Sequence, residues 1–211
     1  MRASAGAGPS ARTGAWPLAV RLATHAAIGG GCLAYAIGFG RPLFVCEPWL
    51  PLPSAVLVAA SGALGVAVAA ANVMATRRAA RARWGAALLE TLKAPVEGAT
   101  DATLLLMALA GGVAEELLFR GVLGPALGVV LASALFGLAH QVRGPARWIW
   151  AGWAFLLGLA LALVFRATGS LLGPVVAHVA INFANLRFVR DARIDARGAH
   201  KRLGGLLAPR P

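Results

Sequence analysis

Six stretches of this chain, roughly residues 17–39, 52–75, 102–119, 122–140, 148–165 and 169–186, approach the ~20 apolar residues a helix needs to cross a bilayer. Few folds are open to such a chain. Backbone N–H and C=O groups in hydrocarbon must be satisfied internally, so these segments must be helices packed against one another. Composition agrees: 59% of the 211 residues are hydrophobic, 13% are charged and the mean hydropathy is +0.73, too apolar for an ordinary soluble domain. The expected fold class is all-α, a polytopic membrane helical bundle of about six transmembrane helices.

A net charge of +12 raises nucleic acid as a partner, but a nucleic-acid binder gathers its cations on a folded soluble face. Here they fall between apolar runs and in the tails, as Arg77, Arg78, Arg81 and Arg83 and as Arg187, Arg190, Arg193, Arg197, Lys201 and Arg202. That is the pattern of positive-inside topology, so the expected partner is the lipid bilayer and not nucleic acid. With the first cluster inside, parity puts both termini and the Arg143 to Arg147 loop in the cytoplasm. Trp16, Trp49, Trp84, Trp148 and Trp150 fall near predicted span ends, where indoles favour the headgroup layer, and Trp153 lies one turn deeper.

Arg2 and Arg12 precede an apolar run as in a signal peptide, but Arg21 and His25 interrupt it, which favours a retained first span. Arginine exceeds lysine eighteen to two with heavy Ala and Gly use, pointing to a bacterial, multi-pass inner-membrane protein. Cys32 in the first run and Cys46 in the loop after it match no redox or zinc pattern. Residues 85–101 carry Glu90, Lys93, Glu97 and Asp101 and read as an interfacial amphipathic helix broken near Pro95. The organisation expected is 1–99, membrane helices plus an interfacial segment; 100–187, a second block of membrane helices forming the core; and 188–211, a basic tail that is disordered or surface-lying.

Only two of the eight acidic residues, Glu115 and Glu116, are embedded in a long apolar segment. An intramembrane carboxylate costs ~2.5 kcal/mol or more, so it marks function by default. Glu116 and Arg120 stand four apart in the favourable acid-before-base order, which neutralises Glu116 and leaves Glu115, about 100° around the helix, free for another task. A purely structural charge network explains one glutamate and not the second. Phe136 and His140 repeat the four-residue spacing, as do His178 and Asn182, with Pro174 one turn before His178. Singly, these histidines read as packing residues or as helix-to-helix hydrogen bonds. Together, Glu115, His140, His178 and Asn182 make a water-activating set: a carboxylate to take a proton, imidazoles to position water, and an amide for a developing oxyanion. His25 and His200 lack such company and read as packing or surface residues. If the third and fourth stretches were straight spans, Glu115 and His140 would lie at different depths. A common site therefore requires a broken or re-entrant segment, for which Gly111, Gly112, Gly121, Gly124 and Pro125 are candidate break points.

The runs EELLFR, FGLAH and HVAIN, in that order, resemble the CPBP family of intramembrane proteases, the CAAX proteases and bacteriocin-processing enzymes also called Abi, marked by EExxxR, FxxxH and HxxxN. The resemblance covers about residues 100–186. It implies a helical membrane fold with a chamber open to the cytosol that hydrolyses a peptide bond in a membrane-associated protein or peptide. It further implies Glu115 as the water-activating glutamate with His140 its partner, His178 and Asn182 stabilising the intermediate, Glu116 and Arg120 supporting, and Phe136 packed beside His140. Relatives have been labelled metalloproteases, and Glu115, His140 and His178 would make a zinc set with an open fourth position. HExxH is absent, so a glutamate-type site without cofactor is favoured over zinc. The alternatives are a non-catalytic membrane peptide-binding or immunity protein and a proton-coupled transporter, the latter without the inverted repeat such a fold would show.

Overall fold

Helix boundaries fall at residues that cannot continue a helix. In the computed structural model, which describes residues 17–142, 144 and 146–192, Pro17 precedes α1 (Leu18–Phe39) and Gly40 closes it at φ 61°. Pro53 precedes α2 (Ser54–Ala79), and α3 (Arg83–Lys93) is a short helix with Gly85 and Leu88 buried on one face. The amphipathic segment thus ends as a helix at Lys93, before Pro95. Thr100 caps α4 (Asp101–Glu116) by accepting the Thr103 N–H. A π-helical turn, Leu117–Leu123, leads into α5 (Gly124–Ala139); α6 (Arg147–Thr168) ends at Gly169, φ 67°, and α7 (Leu172–Asp191) follows. Among the described residues there is no strand, only an isolated bridge between Val45 and Ser170. Trp16, Arg143, His200 and the expected tail beyond Ala192 lie outside the described residues.

Five helical stretches are long and apolar enough to cross a membrane, and one of them, Asp101–Ala139, is a single run of 39 residues holding both the third and the fourth stretches read from sequence. The run folds back at Gly128, whose φ of 79° and ψ of 166° break the helix. Contacts across the fold fix the hairpin: Phe119 stacks edge-on against Phe136 at 5.0 Å, and Glu115 lies 3.5 Å from His140. Glu115 is 13 residues before Gly128 and His140 is 12 after it, so both lie ~20 Å from the fold at 1.5 Å per residue. The depth conflict vanishes because the returning arm is short of the ~30 Å needed to cross the hydrocarbon core. The break falls later than the glycines proposed for it, while Gly121 lies within the π-helical turn.

Small residues let the remaining helices approach closely. α2 and α7 run parallel with a constant offset, Gly65 facing Gly173 and Arg77 donating to the Ala184 carbonyl. A Cβ on Gly65 would collide with the Gly173 carbonyl. Buried Ser61 locks the crossing: its hydroxyl donates to the Ser170 carbonyl and accepts the Gly173 N–H, both at 2.9 Å. Gly112 brings α4 against Val179 of α7, and Gly137 brings α5 against the Ala151 carbonyl of α6. The loop of residues 43–50 docks on the α6–α7 turn through backbone bonds from Cys46 to Gly169 and from Leu171 to Phe44. Arg77, Arg78, Arg81, Arg83, Lys93, Arg147, Arg187 and Arg190 lie at one end of the bundle, whereas Arg41 and Arg166 lie at the other.

Candidate active site

The π-helical turn begins one residue after Glu116, and a widened turn of this kind shifts side chains relative to a straight helix. Glu116 is fully buried and pairs with Arg120 one turn on, Nη1 donating to Oε1 at 3.0 Å. The second Arg120 nitrogen donates to the Gly158 carbonyl of α6 at 2.9 Å, and the guanidinium sits 4.7 Å from the Phe136 ring centre. Glu116 Oε1 also accepts from His178 Nδ1 at 2.7 Å. One buried carboxylate oxygen therefore ties α4, the π-helical turn and α7 together, and it fixes the tilt of the His178 ring.

Glu115 points the other way, as the 100° step between neighbours requires. Its Oε2 lies 3.5 Å from His140 Nε2 and 3.8 Å from His178 Nε2, and this oxygen is buried with no hydrogen-bond partner in the protein. His140 Nδ1 donates to the Phe136 carbonyl at 2.8 Å, and the two rings stand 4.3 Å apart. Phe136 is almost fully buried and also meets His178 edge-on at 5.7 Å, so a single aromatic ring backs both imidazoles. All of Glu115, Glu116, Arg120, Phe136, His140 and His178 thus come together. Asn182 lines, with His140 and His178, a cavity of about 240 Å³ that opens towards the cation-rich end of the bundle. Arg21, Asn72 and Asn185 add polar groups to its wall, opposite Trp150, Trp153 and Leu157. A larger cavity of about 360 Å³ at the other end reaches Arg120 from behind, alongside Trp49, Phe165 and Arg166, but touches none of the imidazoles. The acid–imidazole cluster borders the smaller one.

One member of this cluster was not anticipated. His25, read as a packing or surface residue, stands on α1 with Nε2 3.5 Å from Glu115 Oε1 and Nδ1 2.8 Å from the Arg21 carbonyl. The signal for it was in the first apolar run, where Arg21 and His25 interrupt hydrophobic sequence four residues apart and so share a face.

The donor types suit zinc, since imidazoles held through Nδ1 present Nε2 outward and a carboxylate stands among them. However, His25 and His140 address different oxygens of Glu115, and among the described residues no three His, Cys, Asp or Glu side chains are placed to hold a metal ion. Cys46 makes only a weak Sγ contact, 3.6 Å from the Phe165 carbonyl, and Cys32 is buried; both are free thiols.

Fold and site define a multi-pass membrane protein with an acid–imidazole centre enclosed by its helices. Residues 99–184, the segment that holds Glu115, His140, His178 and Asn182, match the model of the type II CAAX prenyl endopeptidase Rce1-like family, a CPBP-type protease model. Neither a curated protein nor a solved structure matches the chain.

Proposed function

We propose that this protein is a glutamate-type intramembrane endopeptidase, in which Glu115 activates the water that attacks a peptide bond of a membrane-associated protein or peptide. The observation that carries this reading is the buried Glu115 Oε2 between two imidazole nitrogens, in a helix where an isolated carboxylate would be unfavourable. A water held on Oε2 gives up its proton to Glu115 as its oxygen bonds to the peptide carbonyl carbon. His140 and His178 hold that water, and the Glu116 and Arg120 pair keeps His178 in place. Asn182, one turn after His178 on α7, presents an amide N–H to the oxyanion that forms. The proton on Glu115 then passes to the departing amine, completing hydrolysis.

The concentration of cations at the chamber end supports a cytoplasmic chamber and a bacterial inner-membrane location. Arg21 is the fixed positive charge in the chamber wall, and it suits a substrate with an acidic group or a free carboxylate. The test is a comparison of membrane proteomes and peptide libraries treated with purified wild type and Glu115→Gln in nanodiscs. Cleavage products dependent on Glu115 and unaffected by chelator are expected. Equal effect from Glu115→Gln would turn the reading towards a non-catalytic peptide-binding protein, and restoration of chelated enzyme by zinc would overturn the metal-free mechanism.

A further inference from the structure

His25 belongs to α1, outside the segment that matches the protease family, yet it reaches the carboxylate assigned to water activation. The approach is built on both sides. On α1, the Arg21 carbonyl can only accept, so His25 Nδ1 carries a proton and the ring is fixed with Nε2 towards Glu115 Oε1. On α4, Gly111 lies one turn before Glu115, and a Cβ there would stand 3.4 Å from His25 Nε2 and 3.8 Å from Glu115 Oε1. A methyl group there would just touch the imidazole, and any longer side chain would fill the approach.

The two oxygens of Glu115 consequently have separate neighbours: Oε1 meets His25, and Oε2 meets His140 and His178. A terminal carboxylate rotates in a broad, roughly two-fold well, so nothing in the side chain itself decides which oxygen faces the chamber. Packing does not explain the histidine either. The buried residue of α1 is Cys32, which joins Leu43, Leu117 and Phe165 in a core, whereas the His25 side chain keeps 26% of its surface exposed.

We propose that His25 is a positioning residue: facing Oε1 with Nε2 at 3.5 Å, it forms an ion pair that holds the Glu115 carboxylate so that Oε2 meets the water and the other two imidazoles. The proposal rests on the endopeptidase reading above. It makes the N-terminal helix part of the active centre and not merely a membrane anchor.

The test uses the full chain in nanodiscs with internally quenched peptides, one carrying a farnesylated cysteine and one unmodified, and follows whichever the wild type cleaves. His25→Ala is expected to lower kcat by about 10- to 100-fold, the range a misplaced catalytic group produces. KM should stay within about twofold, since no substrate contact is lost. Added imidazole restores part of the loss in His25→Ala, and His25→Gln, whose amide can donate to Oε1, retains more activity than His25→Ala. Gly111→Leu, with the histidine intact, lowers kcat in the same sense because the longer side chain fills the approach of the imidazole. A His25→Phe variant with wild-type kcat overturns the proposal, as does a loss in His25→Ala that tracks thermal stability and ignores imidazole. Wild-type cleavage by Glu115→Gln removes the endopeptidase role of Glu115 itself, a failure distinct from that of His25.

Discussion

Replacing Arg120 by methionine isolates the energy held in the buried charge network. Arg120 is 3% exposed, and its two hydrogen bonds end on Glu116 Oε1 at 3.0 Å and on the Gly158 carbonyl at 2.9 Å. Its removal leaves a fully buried carboxylate with His178 Nδ1 as its remaining partner, and an unpaired carbonyl on α6. Removing one member of a buried pair typically costs about 3–5 kcal/mol, and the orphaned carbonyl is part of that cost and not additional to it. For a chain of this size a kcal/mol corresponds to about 2–4 °C, so Arg120→Met lowers Tm by roughly 10 °C. Tryptophan fluorescence of the protein in nanodiscs reads the transition, with six indoles as reporters. Adding Glu116→Leu removes the stranded charge and recovers at least about half of the stability, because apolar replacement of a whole buried pair is near neutral. Activity does not recover with it, since His178 Nδ1 has lost its acceptor and the ring no longer holds its tilt towards Glu115. A shift below about 3 °C for Arg120→Met, or strictly additive losses in the double variant, would refute the reasoning.

Gly128→Ala meets no neighbouring atom but must adopt φ 79° and ψ 166°, so strain alone lowers stability by about 1–3 kcal/mol, and the shortened arm carries His140 away from Glu115; Tm and kcat fall together. Ser61→Ala strands the Ser170 carbonyl and the Gly173 N–H at the α2–α7 crossing and costs about 1–3 kcal/mol in thermal unfolding, with little change in KM. Burial pushes the Cys46 thiol above its ordinary range while Arg166 partly offsets it, so in a Cys32→Ala background Cys46 alkylates more slowly at neutral pH than a free cysteine, followed by mass spectrometry.

Contacts within one helix were legible in the sequence because a spacing of four settles which side chains share a face. Glu116 with Arg120 and Phe136 with His140 follow directly from it, and both pairs are in contact. Contacts between helices were not, because they depend on where backbones cross. Glu116 accepting from His178 needs Gly112 to bring α4 against Val179 of α7, and the spacing of the EELLFR and HVAIN runs carries no record of that approach. His25 was missed for the same reason: Gly111 had been considered as a break point, whereas the helix continues straight through it and the missing side chain admits an imidazole. The fold at Gly128 was hidden differently. Apolar sequence continues across it, so hydropathy reads two spans where a full span and a short returning arm stand.

The three imidazoles of the centre obey one rule that makes its burial tolerable. Each commits Nδ1 to a fixed acceptor, the Arg21 carbonyl for His25, the Phe136 carbonyl for His140 and Glu116 for His178, and each turns Nε2 towards Glu115. Neutral imidazoles in that tautomer would present only lone pairs to a carboxylate, an arrangement of acceptors with no donor among them. The cluster therefore coheres only with a proton on the Nε2–Oε lines or with water donating into them. A proton on any one of the three Nε2 atoms would balance Glu115, as Arg120 balances Glu116, and leave the four-helix cluster neutral as a whole. Neutrality offsets the desolvation that isolated charges would suffer in a bilayer.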